Sequence, residues 1–324
     1  MLKFEELEFT YSGHEEPVRA LHDLNLEVSK GESLVLIGPS GSGKSTLLLL
    51  AAGLLKPSFG KICVRPSVYD ETTKSANAWE ELTAPRLETA LILQDFGLLP
   101  WKTVLENAAL GLEIRHAKRS ARLTTAREAL ARVGIADFAN AFPSELSGGM
   151  RQRLALARAL ALDVDIMLMD EPLSAVDTML RENLQDLLLQ LWQDRGYAQI
   201  LVTHSIEEAV FLGQRIAIMS ARPGTIVSYV NNPLVGDINY RHNEAYFLKC
   251  REVREALSLV SSPASPSAPK SAASMLNASE TVATNTIDAA DATNFVTATN
   301  NAFVLDLPMD SEPKTKCHPE VKHG

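Results

Sequence analysis

Short uninterrupted apolar runs recur along the first 260 residues, separated by longer stretches in which apolar positions return every three or four residues. Residues 28–37 contain one such run, SLVLI followed by glycine, and residues 90–93, 166–169, 199–203 and 215–219 supply four more. Runs this short and this apolar predict strands buried on both faces, as in a parallel sheet. The stretches 44–55, 121–133, 150–162, 179–195 and 206–212 carry the helical period. Their alternation predicts an α/β fold, a mostly parallel sheet covered by helices on both faces.

The pattern fades after Val260. Residues 261–300 are dominated by Ser, Ala, Thr, Asn and Pro. Such a segment buries too little apolar surface to offset chain entropy, so 261–324 is expected to be a disordered tail. The AFVLDLPMD stretch near its end reads as a tail remnant, with a docking peptide as the alternative.

The chain's 324 residues are 46% hydrophobic and 22% charged, which suits one large α/β domain with a tail or two domains. A net charge of -9 argues against a broad basic surface and against nucleic acid as a partner. Cys63, Cys250 and Cys317 lie far apart without metal or redox spacing, as expected in a reducing compartment. The longest apolar run, 47–55, is broken by Gly53 and is about half the ~20 residues of a membrane span. The opening MLKFEELEFTYSG has no apolar secretory core. A soluble protein is expected, touching membranes only through partners.

Candidate chemistry begins at 38–46, GPSGSGKST, which follows a predicted strand and opens a predicted helix. This is the phosphate-loop spacing in its required setting. Glycines at 38, 41 and 43 allow positive φ and close backbone approach, so that the N–H groups of Gly38, Pro39's neighbours and Ser40 to Thr46 surround phosphate oxygens. Lys44 would reach the β- and γ-phosphates and the Ser45 hydroxyl would ligate Mg²⁺. Further on, the strand at 166–169 runs into Asp170 and Glu171, placing two carboxylates at the strand edge where α/β sheets bind ligands. Asp170 is the candidate Mg²⁺ ligand, and Glu171 the candidate to orient or deprotonate an attacking water.

The segment Leu146-Ser147-Gly148-Gly149-Met150-Arg151-Gln152-Arg153, followed by LARAL, narrows the class. A serine and two glycines opening a helix form a second anion site, and here the chain resembles the ATP-binding cassette (ABC) ATPases. The resemblance spans roughly 2–225, more weakly to about 258. It implies an α/β P-loop NTPase with a small antiparallel β subdomain and a helical signature subdomain. It also implies ATP and Mg²⁺ as cofactors, and a head-to-tail homodimer in which Ser147, Gly148 and Gly149 meet the γ-phosphate bound by the opposite subunit. The expected organisation is an ATPase domain over 1–230, a helical C-terminal extension over 231–260, and the tail over 261–324.

Other family positions follow by resemblance. Tyr11 lies where an aromatic ring stacks on adenine, with core packing as the alternative. Gln94, ending the 90–93 strand, matches the glutamine that touches Mg²⁺ and water and senses the membrane partner. Asp177, in Ser174-Ala175-Val176-Asp177, matches the loop that crosses the dimer interface, with Val176 where leucine is commoner. His204, after the 199–203 strand, matches the histidine that contacts γ-phosphate.

Within the family, Leu98-Leu99-Pro100-Trp101, Thr103-Val104, Glu106-Asn107, Met150 and Ala221-Arg222-Pro223-Gly224 are similar to importer ATPases of the nitrate, sulfonate and taurine type. That likeness implies two transmembrane permease subunits and, indirectly, a periplasmic or lipid-anchored solute-binding protein. It implies a place at the cytoplasmic face of the membrane. Trp101 would be an exposed anchor for the permease, with packing inside the helical subdomain as the alternative. Residues 69–85 read as a polar insertion in the small antiparallel subdomain, Ser205 replaces a common aspartate, and the ending after Asn231 departs from those importers. A soluble non-transport ABC ATPase and an exporter ATPase are the alternatives; a plain P-loop kinase lacks the signature.

Overall fold

The computed structural model describes residues 1–12, 16–65 and 79–261; the predicted tail and the first part of the predicted insertion fall outside these. The chain opens with β1 (Leu2–Tyr11) and β2 (Val18–Val28), then β3 (Ser33–Ile37), α1 (Lys44–Ala51), β4 (Phe59–Val64), β5 (Glu80–Glu81) and β6 (Thr89–Ile92). Three helices follow, α2 (Val104–Ile114), α3 (Arg119–Arg132) and α4 (Gly148–Leu160). The remainder alternates: β7 (Ile166–Asp170), α5 (Thr178–Arg195), β8 (Ala198–Val202), α6 (Ile206–Leu212), β9 (Arg215–Met219), β10 (Ile226–Asn231) and α7 (Glu244–Ser261).

Two sheets frame the protein. One is antiparallel, in the order β2-β1-β4-β5. The other runs β10-β9-β3-β8-β7-β6, with every neighbour parallel except the β10 edge. The α/β expectation holds. Alternate residues of the central strands feed two cores. Val35, Ile37, Met167, Met169 and Leu201 face the helices α2 to α7. Leu34, Leu36, Ile166, Leu168, Ile200 and Val202 face α1 and the antiparallel sheet. Burial on both faces is why these strands read as unbroken apolar runs.

The structure moves several predicted boundaries. α1 stops at Ala51 rather than 55, because Gly53 turns the chain at φ 73. β1, β2, β4 and α2 carry no sequence-level prediction of their own. Part of the predicted insertion is structural: Glu80 and Glu81 pair with Val64 and Cys63 as the edge of the antiparallel sheet. α7 packs on α6, its Tyr246 hydroxyl donating to the Glu207 carbonyl at 3.0 Å. Cys63 and Cys250 are buried free thiols. Among the described residues, no helix is long and apolar enough to cross a membrane.

Candidate nucleotide site

Strand order builds the site. β3, β8, β7 and β6 are parallel neighbours, so the segments leaving their carboxyl ends share one sheet edge. Those segments carry the 38–46 loop, His204, Asp170 with Glu171, and Gln94.

The loop closes tightly because its glycines permit it. Gly41 and Gly43 sit at φ 75 and 85, in the left-handed region. Gly38 does not adopt positive φ, contrary to expectation; it is needed for space, since a Cβ there would lie 2.7 Å from the Met219 carbonyl oxygen. Lys44 Nζ donates to the carbonyls of Gly38 (2.9 Å) and Pro39 (2.8 Å) and to Ser42 Oγ (3.1 Å). Burial pushes the Lys44 ammonium below its usual pKa, while Glu171 and Asp170 oppose the shift. Ser40 and Ser45 are exposed, and Thr46 is buried with its Oγ1 2.9 Å from the Tyr11 hydroxyl. Tyr11 also meets Phe9 edge to face, so this residue spans core and loop.

A strap from the β9–β10 connection supports the loop from beneath. Gly224 N–H donates to Ala20 O (2.8 Å), and its carbonyl accepts from His22 N–H (3.1 Å). Arg222 Nε donates to Gly41 O at 3.4 Å. A side chain at Gly224 would collide with the Ser42 carbonyl.

Opposite Lys44, β7 ends in Asp170, only 6% exposed, which accepts a hydrogen bond from Ser45. Burial raises the Asp170 pKa, the Ser45 bond opposes this, and the Glu171 charge adds to the rise. Glu171 holds φ 48, strained for a residue with a side chain. Its N–H donates to Val202 O (2.9 Å), and its carbonyl accepts from Gln152 Nε2 (2.9 Å) and Ser174 Oγ (3.1 Å). Its Oε1 lies 3.3 Å from Nδ1 of His204, whose side chain is 69% exposed. Gln94 is exposed and stands two residues beyond the end of β6, rather than at the strand end as expected, because β6 stops at Ile92.

Ser147 caps α4, its Oγ accepting from Met150 N–H at 3.3 Å. A Cβ on Gly148 would meet nothing within 4 Å, whereas one on Gly149 would lie 3.1 Å from Ala175 O. Asp177 caps α5 by accepting from Leu180 N–H at 3.0 Å. Among the described residues, no hydrogen bond or ion pair joins Ser147, Gly148 or Asp177 to the Lys44 loop. One chain therefore brings together Lys44, Ser45, Asp170, Glu171 and His204 and leaves the signature apart.

The family described as ABC transporter matches residues 21–174. An uncharacterised ABC transporter ATP-binding protein of Methanocaldococcus jannaschii is 40% identical over 229 residues, 71% of this chain and 81% of that protein. The chain belongs to the ABC transporter ATP-binding family. The nitrate import ATP-binding protein NrtD of Synechocystis is 38% identical over 248 residues, 76% of this chain and 88% of its own. The taurine import ATP-binding protein TauB of Pseudomonas aeruginosa is 44% identical over 207 residues, 64% of this chain and 74% of its own. The solved dimer of the bacterial ABC transporter cassette MJ0796 superposes with a TM-score of 0.63 at 33% identity, covering 71% of this chain and 98% of that one.

The cradle of this ABC protein fits nucleotide phosphate: glycine-lined, tight, and holding a buried ammonium. Among the described residues no three His, Cys, Asp or Glu side chains cluster as a metal cage. The Ser45–Asp170 pair, a hydroxyl on a buried carboxylate, instead suits a hard cation that takes its other ligands from phosphate and water. A cleft of about 820 Å³ on the antiparallel sheet, lined by Lys3, Phe59 and Tyr229 among others, contains none of the candidate residues.

Several residues that shape the site stood in the sequence only as members of a family motif, with no role of their own read from it. Gln152 is among them. Arg158, half-buried in α4, donates to Gly97 O (2.5 Å) and Phe96 O (2.6 Å), fixing the turn just after Gln94; burial pushes its pKa down to about 10. Asn107, fully buried, accepts from Leu99 N–H (2.8 Å) and donates to the Leu99, Lys102 and Thr103 carbonyls, so it shapes the turn presenting Trp101.

Proposed function

We propose that this ABC ATPase is the ATP-hydrolysing subunit of an importer, working as a head-to-tail homodimer beneath two membrane permease subunits at the cytoplasmic face. The names of the NrtD and TauB relatives favour a small anion, such as nitrate, sulfonate or taurine, as the cargo. A solute-binding protein would deliver it.

One observation carries the reading. Lys44, Asp170, Glu171 and His204 converge on one sheet edge, while the signature helix opens at Gly148 onto empty space in the same chain. A site divided in this way is completed by a second copy, with Ser147 of the partner subunit closing over the γ-phosphate.

In the closed site, Lys44 exchanges the loop carbonyls for β- and γ-phosphate oxygens, which needs only a swing of its Nζ. Ser45, Asp170 and Gln94 would hold Mg²⁺, which supplies charge neutralisation on the phosphates when bound. Glu171 orients the attacking water and takes its proton. His204, beside Glu171, faces the developing charge on the γ-phosphoryl group together with the Ser147 helix terminus. Tyr11 stands at the adenine end, and Asp177 near the subunit boundary.

The test is reconstitution. Full-length chain co-expressed with any permease subunits found encoded beside its gene should co-purify with them from membranes, and its ATPase rate should rise when solute-binding protein and cargo are added. A chain fully active in solution that never associates with membrane subunits would overturn the importer reading.

A further inference from the structure

Gln152 lies on α4, five residues beyond Ser147, and is 1% exposed. A buried amide is costly unless its groups are partnered. Here they are, and the partners are unusual. Nε2 donates to the Glu171 carbonyl at 2.9 Å and lies 3.4 Å from Ser174 Oγ, while Oε1 accepts from Ala175 N–H at 2.8 Å. The amide orientation is fixed by these partners, since a carbonyl can only accept and an N–H can only donate.

Each partner belongs to the proposed machinery. Glu171 keeps its left-handed φ of 48 because its N–H and carbonyl are both held, the carbonyl by Gln152 and Ser174. Ala175 lies in the loop 174–177 that ends at Asp177, and its carbonyl is what a Gly149 side chain would strike at 3.1 Å. The first turn of α4, the main chain of Glu171 and the 174–177 loop are thus joined by direct hydrogen bonds and close contact.

We propose that Gln152 is a positioning residue that couples the two ATP sites of the dimer. The inference rests on the head-to-tail reading above. In that arrangement Ser147 and Glu171 of one chain serve different nucleotides. When the nucleotide held by the partner docks on the α4 terminus, the helix shifts, and Gln152 passes the shift to the backbone that aims Glu171 at this chain's own nucleotide. Binding at one site then prepares hydrolysis at the other, and by linkage the reverse holds for binding.

The experiment uses the full-length chain with Gln152→Leu, which removes the hydrogen bonds to Glu171, Ser174 and Ala175, and Gln152→Glu, which keeps only the acceptor for Ala175 N–H. Affinity for a fluorescent ATP analogue is measured with dilute chain, and kcat and the Hill coefficient for ATP are measured under dimer-forming conditions. Analogue affinity should stay within about two-fold, while kcat falls by roughly ten-fold or more and the Hill coefficient drops to about 1. A mere loss of packing would lower affinity and turnover together. That outcome overturns the proposal, as does a wild-type Hill coefficient of 1, or unchanged kcat and cooperativity in a variant that melts like wild type. If Gln152→Leu melts below the assay temperature, the same measurements on Gln152→Glu decide. A parallel mixture of Lys44→Ala and Ser147→Arg chains separates the two levels. Recovered activity there with unaltered cooperativity in the Gln152 variants overturns the coupling alone; a confirmed heterodimer that neither recovers activity nor occludes a nucleotide overturns the shared site and the coupling with it.

Discussion

His204 Nδ1 lies 3.3 Å from Glu171 Oε1, joining the carboxyl ends of the adjacent strands β8 and β7. Neither side chain takes part in the bonds that hold the 38–46 loop, where Lys44 is clamped by Gly38, Pro39 and Ser42. Replacing Glu171 by Gln should therefore spare nucleotide binding and remove the base. ATP affinity should hold while turnover falls by about 10²–10⁴, the usual worth of a positioned general base. The variant should accumulate as an ATP-bound dimer, visible by size-exclusion chromatography. Wild-type hydrolysis by this variant would remove Glu171 from the role.

Asp170 is a carboxylate whose folded pKa is raised by burial and by Glu171. Its ionised form is therefore less favourable in the folded chain than in the unfolded one. Above the folded pKa this costs stability; below the ordinary aspartate value of about 3.9 both states are protonated and the cost is gone. Asp170→Asn, which still accepts from Ser45, should melt higher than wild type at neutral pH without ligands. That advantage should shrink as pH falls through the folded pKa. The same variant should lose the extra stabilisation that Mg²⁺ adds to ATP in the wild type. Melting curves across pH, with and without Mg·ATP, check both parts.

The residues that sequence alone identifies are those whose neighbours in the chain are also their neighbours in space. The 38–46 loop, the Asp170-Glu171 step and the Ser147 helix cap are local structures, so spacing suffices to find them. β1 hides for a local reason of its own. Glu6 at φ 50 forms a bulge, so Leu2 and Phe4 are buried at even positions and Leu7 and Phe9 at odd ones, and no single alternation runs through the strand. Gln152, Arg158 and Gly224 act on segments distant in sequence. The motifs that contain them mark the family, but nothing in their own neighbourhood shows that the glutamine and arginine are turned inward or which distant carbonyls they reach. The Thr103-Glu106-Asn107 set, legible as an importer likeness, turns out to have a structural cause: Thr103 and Glu106 form a capping box and Asn107 fastens the Leu99 turn.

The strap beneath the loop should matter to both folding and binding. In Gly224→Ala the new methyl collides with the Ser42 carbonyl, a backbone atom that cannot rotate away. Overpacking of this kind costs typically about 1–3 kcal/mol. Because Ser42 also accepts from Lys44, the displaced loop should bind ATP more weakly as well. Urea unfolding and analogue titration should move together in this variant, unlike in Glu171→Gln.

Trp101 is 66% exposed, on the turn that Asn107 fastens. An aromatic ring this exposed contributes little to the fold of the chain carrying it. Trp101→Ala should shift stability by no more than about 0.5 kcal/mol, and the basal ATPase rate should stay near wild type. Co-purification with the permease subunits should fall sharply, because a large aromatic anchor is the kind of residue that dominates an interface. Undiminished recovery of the complex would place the permease contact elsewhere.

The divided site is open to two independent tests, and Gly148 supplies the one from the side of stability. A methyl at Gly148 meets nothing within 4 Å in this chain, and alanine is the better helix former. Gly148→Ala should therefore fold at least as well as wild type, yet hydrolyse ATP poorly if phosphate of the opposite subunit must approach that backbone. Mixed dimers test the same division from the side of geometry. Lys44→Ala chains have a damaged cradle and Ser147→Arg chains a blocked signature, so each homodimer should be nearly inactive. In the heterodimer one site collects both defects and the other has neither. Mixing should restore activity, to at most about half of wild type per dimer when the sites act independently and less when they are coupled. A site contained within one subunit predicts no recovery at any ratio, because every chain in the mixture is defective. The ATPase rate against mixing ratio distinguishes the two, with heterodimer formation confirmed by differential tags. If coupling requires both sites to be intact, the heterodimer should still occlude one nucleotide, and trapping with labelled ATP should count one per dimer rather than none.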